Sequence, residues 1–268
     1  MIIGVLLAFV VCAVVIYILV FQYEEIPYYD EDEQSSSLFY DTSCNVAAIN
    51  LHGELKTYTT VEELDQDFSS SEDINFLLDD VYKSDTIKAI LLDIDTYGGS
   101  PVAAEEIFKK LQTIDKPVIA LIRGAGLSAG YFVASGADTI FASALSDVGS
   151  IGVTMSYLDK AQFNKENGFT FNEISSGKFK TSGIEDKPLT DQEKEIFQRD
   201  VDIVFDHFLK SVAVGRNLDI EKVRVLADGS SMLGEMALEN KLIDHIGNYD
   251  DVIAYIENKY AIEPEVCW

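Results

Sequence analysis

The sequence predicts an α/β domain with a parallel sheet, carried behind an N-terminal membrane anchor. Three observations support this. From residue 45 onward, short β-branched and Leu-rich runs alternate with stretches of helical periodicity, the pattern of strands joined by helical crossovers. Two of the runs, KAILLDID (88–95) and KPVIALIRG (116–124), are almost continuously apolar, as strands covered on both faces must be. The first 21 residues, MIIGVLLAFVVCAVVIYILVF, carry no charged side chain. At about 1.5 Å per residue they cover about 30 Å, the thickness of a bilayer core.

The elements follow in order. Residues 1–21 lack the basic start and small-residue cleavage site of a secretory signal, which favours a retained anchor. No Lys or Arg flanks this segment, so the positive-inside rule does not orient it; nothing holds the following domain in the cytoplasm, and it is expected on the extracytoplasmic side of the cell membrane. Residues 22–43 are acidic and serine-containing and read as a linker. The folded domain is expected over 44–268. NVAAINL (45–51) reads as a strand and SEDINFLLDDVYK (71–83) as a helix. KAILLDID is the next strand, ended by YGGSP. VAAEEIFKKLQ (102–112) reads as a helix, KPVIALIRG as a strand, and LSAGYFVASGA (127–137) as a buried helix of small residues. DTIFASA and SIGVTM read as strands. Residues 190–216 form a long amphipathic helix with Thr190 and Glu193 spaced for a capping box.

A net charge of −26 and a pI near 4.2 argue against nucleic acid and anionic membrane surfaces as partners. Outside the anchor the cysteines are Cys44 and Cys267; a disulfide and two free thiols both fit. No C-x-x-C or other metal spacing occurs, and no cofactor is expected.

GLSAG (126–130) fits G-x-S-x-G, the strand-to-helix elbow of a serine nucleophile. Ser128, Asp228 and His245 follow the order of a hydrolase triad, and His52-Gly53 resembles an oxyanion dipeptide. However, the motif is short, and each of the three histidines has an ordinary structural reading. The other reading uses lysine as base. A lysine is an ammonium at neutral pH and must lose its proton through burial. Such a site needs a nucleophile, a lysine, a second hydroxyl and backbone N–H groups aimed at the oxyanion. Ser128, Lys178 or Lys180 in SSGKFKTSG, Ser150 in DVGSIGVTM and the Gly98-Gly99 turn supply candidates for all four. SSGK (175–178) also fits S-x-x-K, but the companion S-D-N and K-T-G motifs do not occur.

The ordered succession DTYGGSP, GAGLSAGYFVAS, DVGSIGV, SGKFKTSG and the closing GSSMLGEMALENKLIDHIGN resembles the signal peptide peptidase A family of membrane-bound Ser–Lys proteases, peptidase family S49. The resemblance spans about residues 44–250. It implies a fold of repeated β-β-α units, related to the caseinolytic-protease and crotonase folds. It places Ser128 on the nucleophile, Lys180 rather than Lys178 on the general base, and Ser150 on the serine that bonds the base. Gly98 and Ala129 fall on oxyanion-hole positions, with Gly99 beside them. It further implies apolar peptide substrates such as released signal peptides or membrane-protein fragments, a ring-like homo-oligomer of half-length subunits that borrow wall residues from each other, and no metal. Three positions depart from the family pattern: Tyr97 for Pro, Ala129 for Gly and Lys241 for a turn Gly. The competing readings are a crotonase-like acyl-CoA enzyme, an inactive membrane scaffold on the same fold, and the histidine-based hydrolase.

Overall fold

The computed structural model describes residues 44–60 and 67–268. The expected anchor and acidic linker lie outside the described residues, among which no helix is long and apolar enough to cross a membrane.

The apolar runs become the centre of a mixed sheet. In chain order the elements are β1 (Val46–Lys56), β2 (Phe68–Ser70), α1 (Ser71–Lys83), β3 (Ala89–Gly99), α2 (Pro101–Leu111), β4 (Val118–Leu127), α3 (Ala129–Ala134), β5 (Thr139–Ala142), β6 (Asp147–Gly149), α4 (Ala161–Glu166), α5 (Asp191–Gly215), α6 (Ile220–Leu226), β7 (Ser231–Leu233), α7 (Gly234–Glu239), β8 (His245–Ile246), α8 (Tyr249–Tyr260) and β9 (Val266–Cys267). The main sheet runs β2-β1-β3-β4-β5-β8, all parallel. β6 lies outside that order, pairing parallel to the end of β4 and antiparallel to β7.

Side-chain alternation explains why β3 and β4 read as continuous apolar runs. Ile90, Leu92, Ile94, Ala120 and Ile122 face one core with α1, α2, α3 and the C-terminal half of α5. Ala89, Leu91, Ile119 and Leu121 face a second core closed by Val252 and Ile256 of α8. Both faces are covered, so neither strand needs a polar stripe. The helix starts are set by local chemistry. Ser70 caps α1 by accepting from the Asp73 N–H, and Ser100 caps α2 with Pro101 at its first position. Thr190 and Glu193 form the expected capping box of α5.

Three expectations are corrected. YGG does not end β3; the strand runs through Gly99, because its last residues still pair with Glu54 and Leu55. LSAGYFVASGA is helical only over Ala129–Ala134, since residues through Leu127 belong to β4. SIGVTM is not a strand. Gly149 and Ser150 both have positive φ, 96° and 48°, and turn the chain out of the sheet after β6.

Cys44 and Cys267 form a disulfide with Cα atoms 5.8 Å apart, within the ordinary range. It fastens the start of β1 to the end of the chain at β9. Tyr131 makes the second long-range tie. Its ring is fully buried in α3, and its hydroxyl donates to the Leu242 carbonyl at 2.7 Å. Burial pushes the phenol well above its usual range, so the proton stays to make that bond. Tyr131→Phe leaves the buried carbonyl without its donor and lowers stability by about 1–3 kcal/mol, read as a lower denaturation midpoint at unchanged m-value.

Candidate active site

β4 passes directly into α3 through Ser128. A strand followed at once by a helix needs one residue in an unusual conformation. Ser128 supplies it, with φ 50° and ψ −119°, a non-glycine residue held in the positive-φ region. Its own N–H is spent on the Gly149 carbonyl at 2.8 Å, which fixes the turn. The Gly130 of GLSAG is present for space. A Cβ there would stand 2.3 Å from the Thr96 methyl. Ala129 begins the helix, so its N–H has no acceptor one turn earlier in the helix.

The end of β3 lies against this elbow. A Cβ on Gly98 would sit 2.9 Å from Ser128 Cβ and 3.3 Å from the Ala129 nitrogen, which explains the glycine. The Gly98 N–H does not face Ser128; it donates to Thr96 Oγ1 at 3.0 Å. Gly99 is arranged differently. It pairs with Leu55, and the Ser100 N–H donates to the Leu55 carbonyl at 2.7 Å. In a parallel ladder a residue bracketed in this way uses its own groups on the partner strand and leaves the partner residue's N–H and C=O pointing the other way. For Gly99 that direction is toward β4, the strand that leads into Ser128.

Ser150 occupies the turn after β6. Its N–H donates to the Ser230 carbonyl and its hydroxyl to the Gly229 carbonyl at 3.0 Å. With the hydroxyl proton committed, the oxygen is left to accept. Ser128, Ala129, Gly99 and Ser150 line one cavity of about 660 Å³. Phe132, Val201, Phe205 and Phe208 give it apolar walls, Asp202 and Asp228 are also in the lining, and Tyr97, 81% exposed, stands at its edge. Asp228 is held below the usual carboxylate range, chiefly by the Ser230 hydroxyl.

Among the described residues that line this cavity there is no lysine and no histidine. Lys180 lies elsewhere, exposed, in the turn 178–183, with its backbone N–H on the Gly177 carbonyl. Lys178 is exposed as well and donates to Gln192 Oε1. The segment carrying both is anchored to the start of α5 through Glu193. That carboxylate accepts from the Thr190 N–H and hydroxyl at 2.8 Å each, from Ser182 Oγ at 3.1 Å and from Lys187 Nζ at 3.1 Å. Lys187 also reaches Glu173 at 3.3 Å. The Thr190 N–H, then its hydroxyl, hold Glu193 down to about 2 from an ordinary value near 4.5. A depressed folded-state value means that the anchor contributes fully above about pH 4.5 and is lost as pH falls toward 2. Glu193→Gln is therefore expected to flatten the acid limb of the stability–pH curve, and to expose the 173–189 segment to limited proteolysis at neutral pH.

The histidines are placed apart from Ser128. His52 sits on β1 with Nε2 3.9 Å from the buried Asp93, whose other oxygen takes the Arg123 guanidinium at 3.1 Å. His207 is exposed on α5 beside Glu105. His245 packs at a tilt against Phe141 and Tyr255, ring centroids 4.6 and 5.3 Å away, and Phe141 belongs to the core on the α8 face. The structure thus brings Asp228 to the Ser128 cavity but not His245. The Gly53 carbonyl accepts from the Thr96 hydroxyl. Thr96 carries no signal in the sequence, and Glu193 is legible there only as the capping partner of Thr190.

Comparison with known proteins gives a consistent result. The model of peptidase family S49 matches residues 110–263, and that of Clp protease matches residues 61–147. The chain is 33% identical over 184 residues to "Putative signal peptide peptidase SppA" of Enterococcus faecium, covering 67% of this chain and 54% of that one. It is 30% identical to "Protease 4" of Haemophilus influenzae, covering 80% and 34%, and 31% identical to "Serine protease SPPA, chloroplastic" of Arabidopsis thaliana, covering 68% and 27%. The chain therefore spans about half or less of the length of these relatives. Among solved structures, a ClpP1 mutant of Listeria monocytogenes superposes with TM-score 0.50 at 16% identity, over 76% of this chain and 92% of the other. That likeness concerns the fold alone.

Proposed function

The chain belongs to peptidase family S49, and from that membership we propose that it is a membrane-anchored serine endopeptidase with Ser128 as nucleophile and Lys180 as general base. The observation that carries the reading is Ser128 itself, held at φ 50° on the wall of a cavity shared with Ser150, Ala129 and Gly99. The Lys180 amine takes the Ser128 proton as Oγ attacks a peptide carbonyl. The Ala129 N–H and the Gly99 N–H hold the oxyanion. We assign this second donor to Gly99 rather than Gly98, whose N–H is engaged by Thr96. The lysine then returns the proton to the leaving nitrogen, the C–N bond breaks, and water hydrolyses the acyl-enzyme with the lysine again as base.

Lys180 is exposed in the single chain, and a lysine serves as base where burial removes its proton. We therefore assign the working base to Lys180 of an adjacent copy in a homo-oligomer. The segment around it exposes Phe169, Phe171, Ile174 and Phe179, an apolar surface suited to burial against another subunit. In that assembly Ser150, with its hydroxyl proton already donated, accepts from the amine and orients it. The apolar walls suit extended apolar peptides, such as released signal peptides or membrane-protein fragments, bound by strand addition. The Cys44–Cys267 disulfide supports an extracytoplasmic domain, since disulfides persist in oxidising compartments, with residues 1–21 as the single-pass anchor.

The test is hydrolysis of an apolar fluorogenic peptide by the full chain and four variants. Ser128→Ala and Lys180→Met are expected to be inactive. Ser150→Ala should weaken activity by roughly 10-fold without abolishing it. His245→Ala should be near normal. Loss with His245→Ala alone would overturn the Ser–Lys reading in favour of the histidine hydrolase.

A further inference from the structure

We infer that Thr96 is the positioning residue that sets the oxyanion-binding turn against the nucleophile, an inference that rests on the Ser128 reading above. Thr96 is 1% exposed, near the end of β3 and two residues before Gly98. Its hydroxyl makes two bonds in different directions. It donates to the Gly53 carbonyl of β1, at the point where the β1–β3 register shifts. It accepts from the Gly98 N–H at 3.0 Å. The Gly98 carbonyl, 3.3 Å from the same oxygen, is its alternative acceptor. The methyl group of Thr96 faces the other way, into the space left by Gly130 in the first turn of α3.

One side chain therefore touches β1, the Gly98 turn and the first turn of α3. The hydroxyl turns the Gly98 N–H inward, and the next residue, Gly99, presents its own N–H toward the Ser128 side. The methyl packs against Gly130 in the first turn of α3. Gly98 and Gly99 both have positive φ, 116° and 151°, a region where glycine rotates at little cost. Without an external bond the Tyr97–Gly98 peptide, which leads into these two residues, has no steric reason to keep one orientation. Thr96 supplies that bond, and serine shares the hydroxyl while valine has only the shape.

An oxyanion donor works by standing in place before charge develops, and losing one costs about 10²–10³ in kcat. A donor that is present but loosely aimed costs less. Thr96→Val in the full chain is expected to lower kcat roughly 10- to 100-fold, with KM and the ionisation seen in kcat/KM unchanged, because binding walls and base are untouched. Thr96→Ser is expected to stay close to wild type in kcat. Thermal melting of each variant, followed alongside, separates folding from positioning. A Thr96→Val enzyme that melts lower but keeps wild-type kcat would reduce Thr96 to a stability role. A kcat loss in Thr96→Ser that Thr96→Val does not share would assign the effect to methyl packing on Gly130 and overturn the hydroxyl's role. Should Thr96→Val fail to fold, Thr96→Cys, which like serine lacks the γ-methyl but bonds only weakly through its thiol, makes the comparison against Thr96→Ser. Ser128→Ala run in the same assay keeps the two readings apart. Activity in that variant would remove the nucleophile itself, whereas wild-type kcat in Thr96→Val beside an inactive Ser128→Ala removes only the inference about Thr96.

Discussion

Ser128→Ala is expected to reduce peptide hydrolysis by about 10⁴-fold or more, to near background. The substitution deletes one oxygen and leaves the elbow otherwise supported. The Gly149 carbonyl still receives the N–H of residue 128, and Gly130 still packs on Thr96. Alanine tolerates φ near 50° no better than serine, so the fold should be retained at a slightly altered stability. Substrate affinity should persist, since the apolar walls formed by Phe132, Phe205 and Phe208 do not depend on the hydroxyl. The measurement is kcat on an apolar peptide, with binding of the uncleaved peptide to the variant followed by fluorescence anisotropy.

Lys180→Met is expected to produce a loss of similar depth, since a serine hydroxyl without a base is a weak nucleophile. Methionine keeps much of the aliphatic volume, so assembly should survive. Co-assembly of the two inactive variants then asks which copy supplies the lysine. If the base comes from a neighbour, Lys180→Met subunits keep Ser128 and receive Lys180 from Ser128→Ala subunits. Random 1:1 mixing of subunits in a closed ring then returns about a quarter of wild-type activity. If serine and lysine come from one chain, the mixture stays inactive.

The legible part of this protein was what periodicity and local sterics control. KAILLDID and KPVIALIRG read as buried strands because both faces are covered, and residues 190–216 read as a helix from their amphipathic period and the Thr190–Glu193 capping spacing. GLSAG read correctly as a strand-to-helix elbow, since the pattern encodes the space that Gly130 leaves and the sharp turn at Ser128. The missed features depend on partners distant in sequence. SIGVTM has strand-like composition, yet positive φ at Gly149 and Ser150 takes it out of the sheet. YGG looked like a strand end, but Leu55 keeps Gly99 in the ladder. The two-residue strands β8 and β9 are too short to have a period at all. Within the site, the family resemblance places Gly98 on the oxyanion-hole position, while in the structure the Gly98 N–H is engaged by Thr96, a difference visible only once β1, β3 and α3 are brought together. Lys180 is the opposite case, prominent in the sequence and outside the cavity of the single chain.

The most direct test of the account is covalent labelling of the full chain with a fluorophosphonate at neutral pH, followed by mass spectrometry of the modified peptide. The account predicts a single label on Ser128, absent in Ser128→Ala, strongly slowed in Lys180→Met and unchanged in His245→Ala. A label on another residue, or labelling that survives Lys180→Met at the wild-type rate but fails in His245→Ala, would contradict it.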